Sequence, residues 1–265
     1  MVTKILKRAY ILFLYFFLYA PIIVLAFYSF NNSRTRGAWT GFTLKWYLAM
    51  FQDRQIMTSL YYSLLIGLIA ALIATFIGTL AAFGINNMKP LPRAATMNLT
   101  YLPVLNPDIV TGISFMLLFI FARLKLGFLT LLLSHITFNI PYVILSVLPR
   151  VKQLDKNMYE AALDLGAPPA LAFRKVILPE IMPGVITGLL LAFTLSLDDF
   201  VISFFNTGSG VSNLSITIYS MARRGINPKI NALSTLMFVS VLSLLVIVNI
   251  MMSRQKHIKI KEESR

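Results

Sequence analysis

The chain has 265 residues, 57% of them hydrophobic and only 13% charged, with a mean hydropathy of +0.76. Water-soluble domains carry about 25% charged residues, so this composition excludes an ordinary soluble globule and points to an integral membrane protein. The net charge of +14 does not signal nucleic acid, because the basic residues flank apolar runs and form no single stripe, and zero Cys rules out disulfides, thiol chemistry and Cys-based metal sites.

Lys4, Lys7 and Arg8 precede an apolar run over about 9–30, long enough to cross a hydrocarbon core of about 30 Å. It exceeds a signal-peptide core and has no Ala-x-Ala site, since Ala20 is followed by Pro21, so it reads as an uncleaved first span. Further runs at about 58–83, 98–121, 128–149, 183–205 and 231–252 bring the expectation to six transmembrane helices. The expected fold is an all-α membrane protein, a single transmembrane domain over 1–265 with both termini on one side. Of the 24 Lys and Arg, 15 lie in the N-terminus, the 84–97 and 150–182 loops and the tail, against 9 in the loops 31–57, 122–127 and 206–230. The richer side is expected to be cytoplasmic, with the termini on it.

In the first outer loop Leu44, Tyr47, Leu48 and Phe51 fall at helical spacing after Thr43, a potential N-cap. The expectation is a short interfacial helix with Trp46 and Tyr47 at headgroup level, as an anchor ahead of a ligand contact. The third run is interrupted at Leu102-Pro-Val-Leu-Asn-Pro-Asp108. Pro breaks a helix, and such a break is tolerated in a bilayer only where protein or water satisfies the freed groups. Asn106 can cap a new helix with Pro107 first and Asp108 in its opening turn, which leaves Asp108 either as a cap or as part of a pathway. Ser134, His135 and Asn139 interrupt the fourth run. His257 is the one other His, so interhelical hydrogen bonding is expected and no metal site. Asp198 and Asp199 lie deep in the fifth run, where carboxylates are costly unless paired or hydrated. Neighbours differ by about 100° around a helix, so one is expected to face a polar pathway and the other to make a structural hydrogen bond.

The loop over 150–182 keeps apolar residues on polar ground. Asn157 and Glu160 have capping-box spacing, Gly166 can take a left-handed cap, and Pro168 and Pro169 can stop one helix and open the next. Two short helices joined by a tight bend are expected. Ala161 and Ala162 give them a slim face, Leu163 and Phe173 apolar anchors, and Glu160 a charge for a partner's Arg or Lys.

The pattern Glu160-Ala161-Ala162, Gly166, Phe173 and Leu178-Pro179, placed before the penultimate span, resembles the EAA motif of ABC importer permeases. Further segments, among them Thr43–Tyr47, Pro107–Val110, Ser134–Phe138, Leu195–Asp199, Ile218–Met221 and Asn231–Thr235, are similar to the second permease of spermidine/putrescine importers. This resemblance implies a type I ABC importer permease in a bacterial inner membrane. It implies partners too: a homologous second permease, two copies of a cytoplasmic ATP-binding subunit that uses the ATP and Mg, and an extracytoplasmic polyamine-binding protein landing on loop 206–230. The motif residues would couple to the ATPase, and the chain itself would bind no cofactor. Asp108, Asp198 and Asp199, the acidic residues within the expected spans, suit a polycation.

Other readings fit less well. A permease for another small solute would share this scaffold. An intramembrane aspartyl enzyme using Asp108 with Asp198 or Asp199 would need carboxylates brought together, and a Gly-x-Gly-Asp signature is missing, since Gly208-Ser-Gly210 is followed by Val211. A carrier acting alone leaves the 150–182 loop unexplained, and the chain has no Walker A motif of its own.

Overall fold

The computed structural model describes residues 2–34, 38–225 and 227–263, which leaves Arg36 of the first outer loop and Arg265 of the basic tail outside. The regular elements are helices: α1 (Val2–Ser29), α2 (Lys45–Phe51), α3 (Arg54–Asn87), α4 (Pro90–Leu105), α5 (Asp108–Phe121), α6 (Phe128–Lys152), α7 (Lys156–Asp164), α8 (Pro169–Ala172), a π-helical turn (Phe173–Ile177), α9 (Leu178–Asp198), α10 (Val201–Asn206), α11 (Leu214–Arg224) and α12 (Pro228–Glu263). One isolated β-bridge joins Asn31 to Phe42.

Four segments are long and apolar enough to cross a membrane, namely Leu6–Ser29, Arg54–Asn87, Phe128–Lys152 and Pro169–Asp198. A fifth results if α4 and α5, bent by 106° at their junction, form one broken span. The expected break in the third run is therefore present, though its chemistry differs: Asn106 closes α4, Pro107 is the N-cap of α5 without a side-chain bond, and Asp108 stands first in the helix. The sixth expected run falls within α12.

The chain divides into two compact units, Met1–Met57 with Thr217–Arg265, and Thr58–Ile216. In the first, α1 packs with α12 and α2 with α12. Side chains of α1 from Leu6 through Tyr19 remain exposed. The turn after α1 is organised by Asn31, which is buried. Its amide donates to Ala38 O and accepts from Thr40 N, while its carbonyl accepts the Trp46 indole N–H at 2.7 Å. Trp46 is thus a packed residue at 7% exposure and not a headgroup anchor. The helical period puts Trp46 and Met50 on the buried face of α2, leaving Leu44, Leu48 and Phe51 exposed on the other. Thr43 accepts from Lys45 N, but the N-cap position belongs to Leu44. Asp53 pairs with Lys229 at 2.9 Å, and that ammonium holds its carboxyl below the usual aspartate range.

The second unit is built on α6 and α9, with α3 against them. Its core includes Ala71, Ala74 and Ala82 of α3, Val143, Ile144, Val147 and Leu148 of α6, and Ile181 and Ala192 of α9. Glycines set the helix spacing. A Cβ at Gly184 would meet Arg150 Cγ at 2.8 Å and Ser146 O at 2.9 Å, and one at Gly78 would meet Val143 Cγ1 at 2.7 Å. Gly184 and Gly188 are four apart on α9, the small-xxx-small spacing that lets membrane helices approach backbone to backbone.

Candidate functional site

Two constructions in the second unit carry polar chemistry. The first is the loop between α6 and α9. Asp155 begins α7 by accepting from Asn157 N at 2.9 Å, so the cap lies two residues before the expected Asn157. A carboxylate at that position satisfies first-turn N–H groups and complements the helix dipole. Gly166, at φ +84°, closes α7 as expected. Its N–H donates to Leu163 O and that of Ala167 to Ala162 O, the paired bonds of a Schellman cap.

Beyond Pro168 the chain does not form a second isolated helix. α8, the π turn and α9 are one continuous helical segment, Pro169–Asp198. Leu178 N–H donates five residues back to Phe173 O, and this wider turn directly precedes Pro179, whose missing donor and ring would otherwise break an α-helix. Leu178-Pro179 therefore marks a widened turn and no helix end.

Glu160 and Ala161 are exposed, whereas Ala162 and Leu163 are partly covered. The most exposed apolar side chain of the bend is Leu165, at 89%, ahead of the expected anchor Leu163. Phe173 remains 40% exposed while its ring lies 5.8 Å from that of Phe83. Both rings line a cavity of about 690 Å³ together with Asn86, Arg93, Asp155 and Glu160.

The second construction lies at the other end of α9. The fifth apolar run is not one helix to residue 205. α9 stops at Asp198 and α10 restarts at Val201. Asp199 governs the restart, its carboxylate accepting from Ile202 N at 3.1 Å, Ser203 N at 2.7 Å and Ser203 Oγ at 2.7 Å. Asp198, its neighbour, is exposed. Asp108 is likewise exposed, one turn before Gly112, whose carbonyl accepts from Asn206 of α10 at 3.1 Å. The structure thus separates the three carboxylates into one engaged and two exposed.

α6 faces this break with a ladder of polar side chains. Thr130 donates to Asn206 O at 2.9 Å, His135 Nε2 lies 3.0 Å from Ser203 Oγ, and Asn139 donates to Ser196 Oγ at 2.7 Å. The expected interhelical role of His135 and Asn139 is realised, while Ser134 bonds back to Thr130 O of its own helix. Ser203, Asn206 and Asn213 were not foreseen. Asn213 does have a local signal, since it precedes α11 and accepts from Ile216 N three residues on, as an N-cap should.

Residues 74–258 match the family described as binding-protein-dependent transport system inner membrane component. The chain is 40% identical over 248 residues to the spermidine/putrescine transport system permease protein PotC of Escherichia coli strain K12, covering 94% of this chain and 93% of that protein. It is 40% identical over 235 residues to the putrescine transport system permease protein PotI of the same strain, covering 83% and 81%. Its backbone matches a chain of a bacterial ABC transporter involved in import of the acidic polysaccharide alginate, with a TM-score of 0.69 over 96% of this chain and 98% of that one. At 18% sequence identity that likeness speaks for the fold alone.

Proposed function

The chain belongs to the binding-protein-dependent transport system inner membrane components, and from that premise we propose that it is the permease subunit of an ATP-driven importer of polyamines, spermidine or putrescine. The observation that carries the substrate is the 40% identity, across 94% of the chain, to a spermidine/putrescine permease. In this reading it forms one domain of six spans with both termini cytoplasmic. It pairs with a homologous second permease, two copies of an ATP-binding subunit and an extracytoplasmic polyamine-binding protein. The ATPase binds the ATP and Mg, and this chain supplies the pathway.

The mechanism follows from how the two constructions are joined. Glu160, Ala161, Ala162, Gly166 and the exposed Leu165 form a rigid knuckle that seats on the ATPase. Its Schellman closure keeps the knuckle from deforming when it is pushed. The helix running without interruption from Pro169 to Asp198, 30 residues and about 45 Å at 1.5 Å per residue, carries that displacement to its far end. There, exposed carboxylates meet the substrate. Ammonium groups leaving water need partner charges, which Asp198 and Asp108 offer from the wall of the path.

The test is reconstitution of the four-component importer in proteoliposomes with internal ATP and labelled spermidine or putrescine outside. ATP-dependent uptake of either amine, competed by the other, is expected. A complex whose ATPase responds to its binding protein but which moves neither amine would assign the permease to another solute.

A further inference from the structure

The two adjacent aspartates at the end of α9 have different surroundings, and those surroundings assign them different tasks. Asp199 receives three hydrogen bonds from the first turn of α10, and only 7% of its side chain is exposed. Ser203 is the centre of the arrangement. A hydroxyl has one proton and two lone pairs, and the proton goes to Asp199 Oδ2. Both remaining contacts to Ser203 Oγ must then arrive as donors: Asn213 Nδ2 at 2.6 Å and His135 Nε2 at 3.0 Å. This requires a proton on His135 Nε2, which also lies 3.7 Å from Asp199 Oδ2. Asn213 donates a second time, to the Asp199 carbonyl at 3.2 Å, and caps α11 with its own oxygen. The α9 terminus, the α10 start, the α11 start and α6 are thereby tied at one point.

We propose that His135, Ser203 and Asn213 are positioning residues that lock the Asp199 carboxylate into the α9–α10 break, so that Asp198 alone of the pair is presented to the amine cargo. The proposal rests on the polyamine-import reading and refines it. Asp199 acts as a hydrogen-bond acceptor that shapes backbone, a task an amide oxygen can share. Asp198 acts through its charge, which an amide cannot replace. Were Asp199 free to turn outward, α10 would lose its first-turn acceptors and the break would no longer be defined.

The distinguishing experiment uses the complete importer with its binding protein in proteoliposomes, and reads spermidine moved per ATP hydrolysed alongside binding-protein-stimulated ATPase. Asp198→Asn should lower spermidine per ATP by about tenfold. Asp199→Asn, which keeps a capping oxygen, should fall by no more than about threefold, whereas Asp199→Ala should fall by about fivefold or more. Ser203→Ala should resemble Asp199→Ala, with Ser203→Thr restoring transport. His135→Leu should impair transport and His135→Gln, whose amide can donate from the Nε2 position, should recover it. Asp199→Asn as damaging as Asp198→Asn would overturn the division of labour, and because both variants are isosteric the comparison does not depend on Asp199→Ala assembling. Conservative variants no better than their truncated counterparts would overturn the positioning role. A wild-type complex that moves no polyamine despite a responsive ATPase would remove the underlying reading and this assignment with it.

Discussion

The bend between α7 and α8 and the ladder between α6 and α10 hold together at opposite sequence ranges. At the bend, the bonds that shape the backbone span a few residues, from Asn157 N to Asp155 and from Ala167 N to Ala162 O. In the ladder the partners lie 57, 68 and 76 residues apart, and Asn206 reaches 94 residues back to Gly112 of α5. A locally determined knuckle keeps its form whatever its neighbours do, which suits a part that must transmit force. The ladder exists only when the helices are assembled, so it reports on their packing and responds to its changes.

The sharpest break in that contrast is steric, at the glycines on which the α6–α9 approach depends. Gly184→Val should destabilise the unit by about 3 kcal/mol, because the new carbons have backbone and Arg150 within 3 Å and cannot be absorbed by rotamer change. Thermal unfolding in detergent measures it, and a wild-type midpoint would show that the helices are free to separate. Next, Thr130→Val removes a hydroxyl that donates to Asn206 O and accepts from Gly127 N, at nearly constant volume. A loss of about 1–2 kcal/mol is expected by the same measurement, since buried groups are left unpaired.

At the bend the effects should be smaller in stability and larger in coupling. Gly166→Ala places a Cβ on a residue at φ +84°, costing about 1 kcal/mol locally. Unfolding of the whole protein should scarcely change while ATP hydrolysed per amine imported rises. An unchanged ratio would mean that the knuckle needs no fixed shape. The smallest effect belongs to Asp53 and Lys229 in the first unit. The Asp53 carboxyl is held below its ordinary value, so its contribution is complete above about pH 3.9 and disappears as the pH falls through the lowered value. Partial exposure limits it to well under about 1 kcal/mol. Asp53→Asn should therefore lower stability slightly at neutral pH and match the wild type below that window, as paired pH melts can show.

The same division explains what the sequence disclosed. Gly166 and the prolines are legible because a left-handed cap and a proline at a helix opening each act within one turn. Even there the capping-box spacing points to Asn157, with Glu160 three residues on, whereas the cap is Asp155, which has Met158 at that position. The continuation through Pro179 was hidden because a π turn has no strong residue signature. In the apolar runs, a break such as that at Asp199 is invisible to hydropathy, as Val201, Ile202, Phe204 and Phe205 keep the mean apolar around Ser203. His135 and Asn139 stood out as polar residues in a greasy helix, but their partners Ser203 and Ser196 did not, small hydroxyls being common in such helices. Trp46 shows the converse error. Its type suggested an interface anchor, and the helical phase that buries it against Asn31 becomes apparent only with the turn in place. The Gly184-x-x-x-Gly188 spacing was readable and was missed.

The central claim is that the Glu160 knuckle connects ATP hydrolysis to movement of the spans, and binding-protein-dependent spermidine uptake by a Glu160→Ala importer tests it most directly. The account predicts a complex that inserts in the membrane at wild-type level yet imports essentially no spermidine when ATP is supplied. Uptake at the wild-type rate would contradict it.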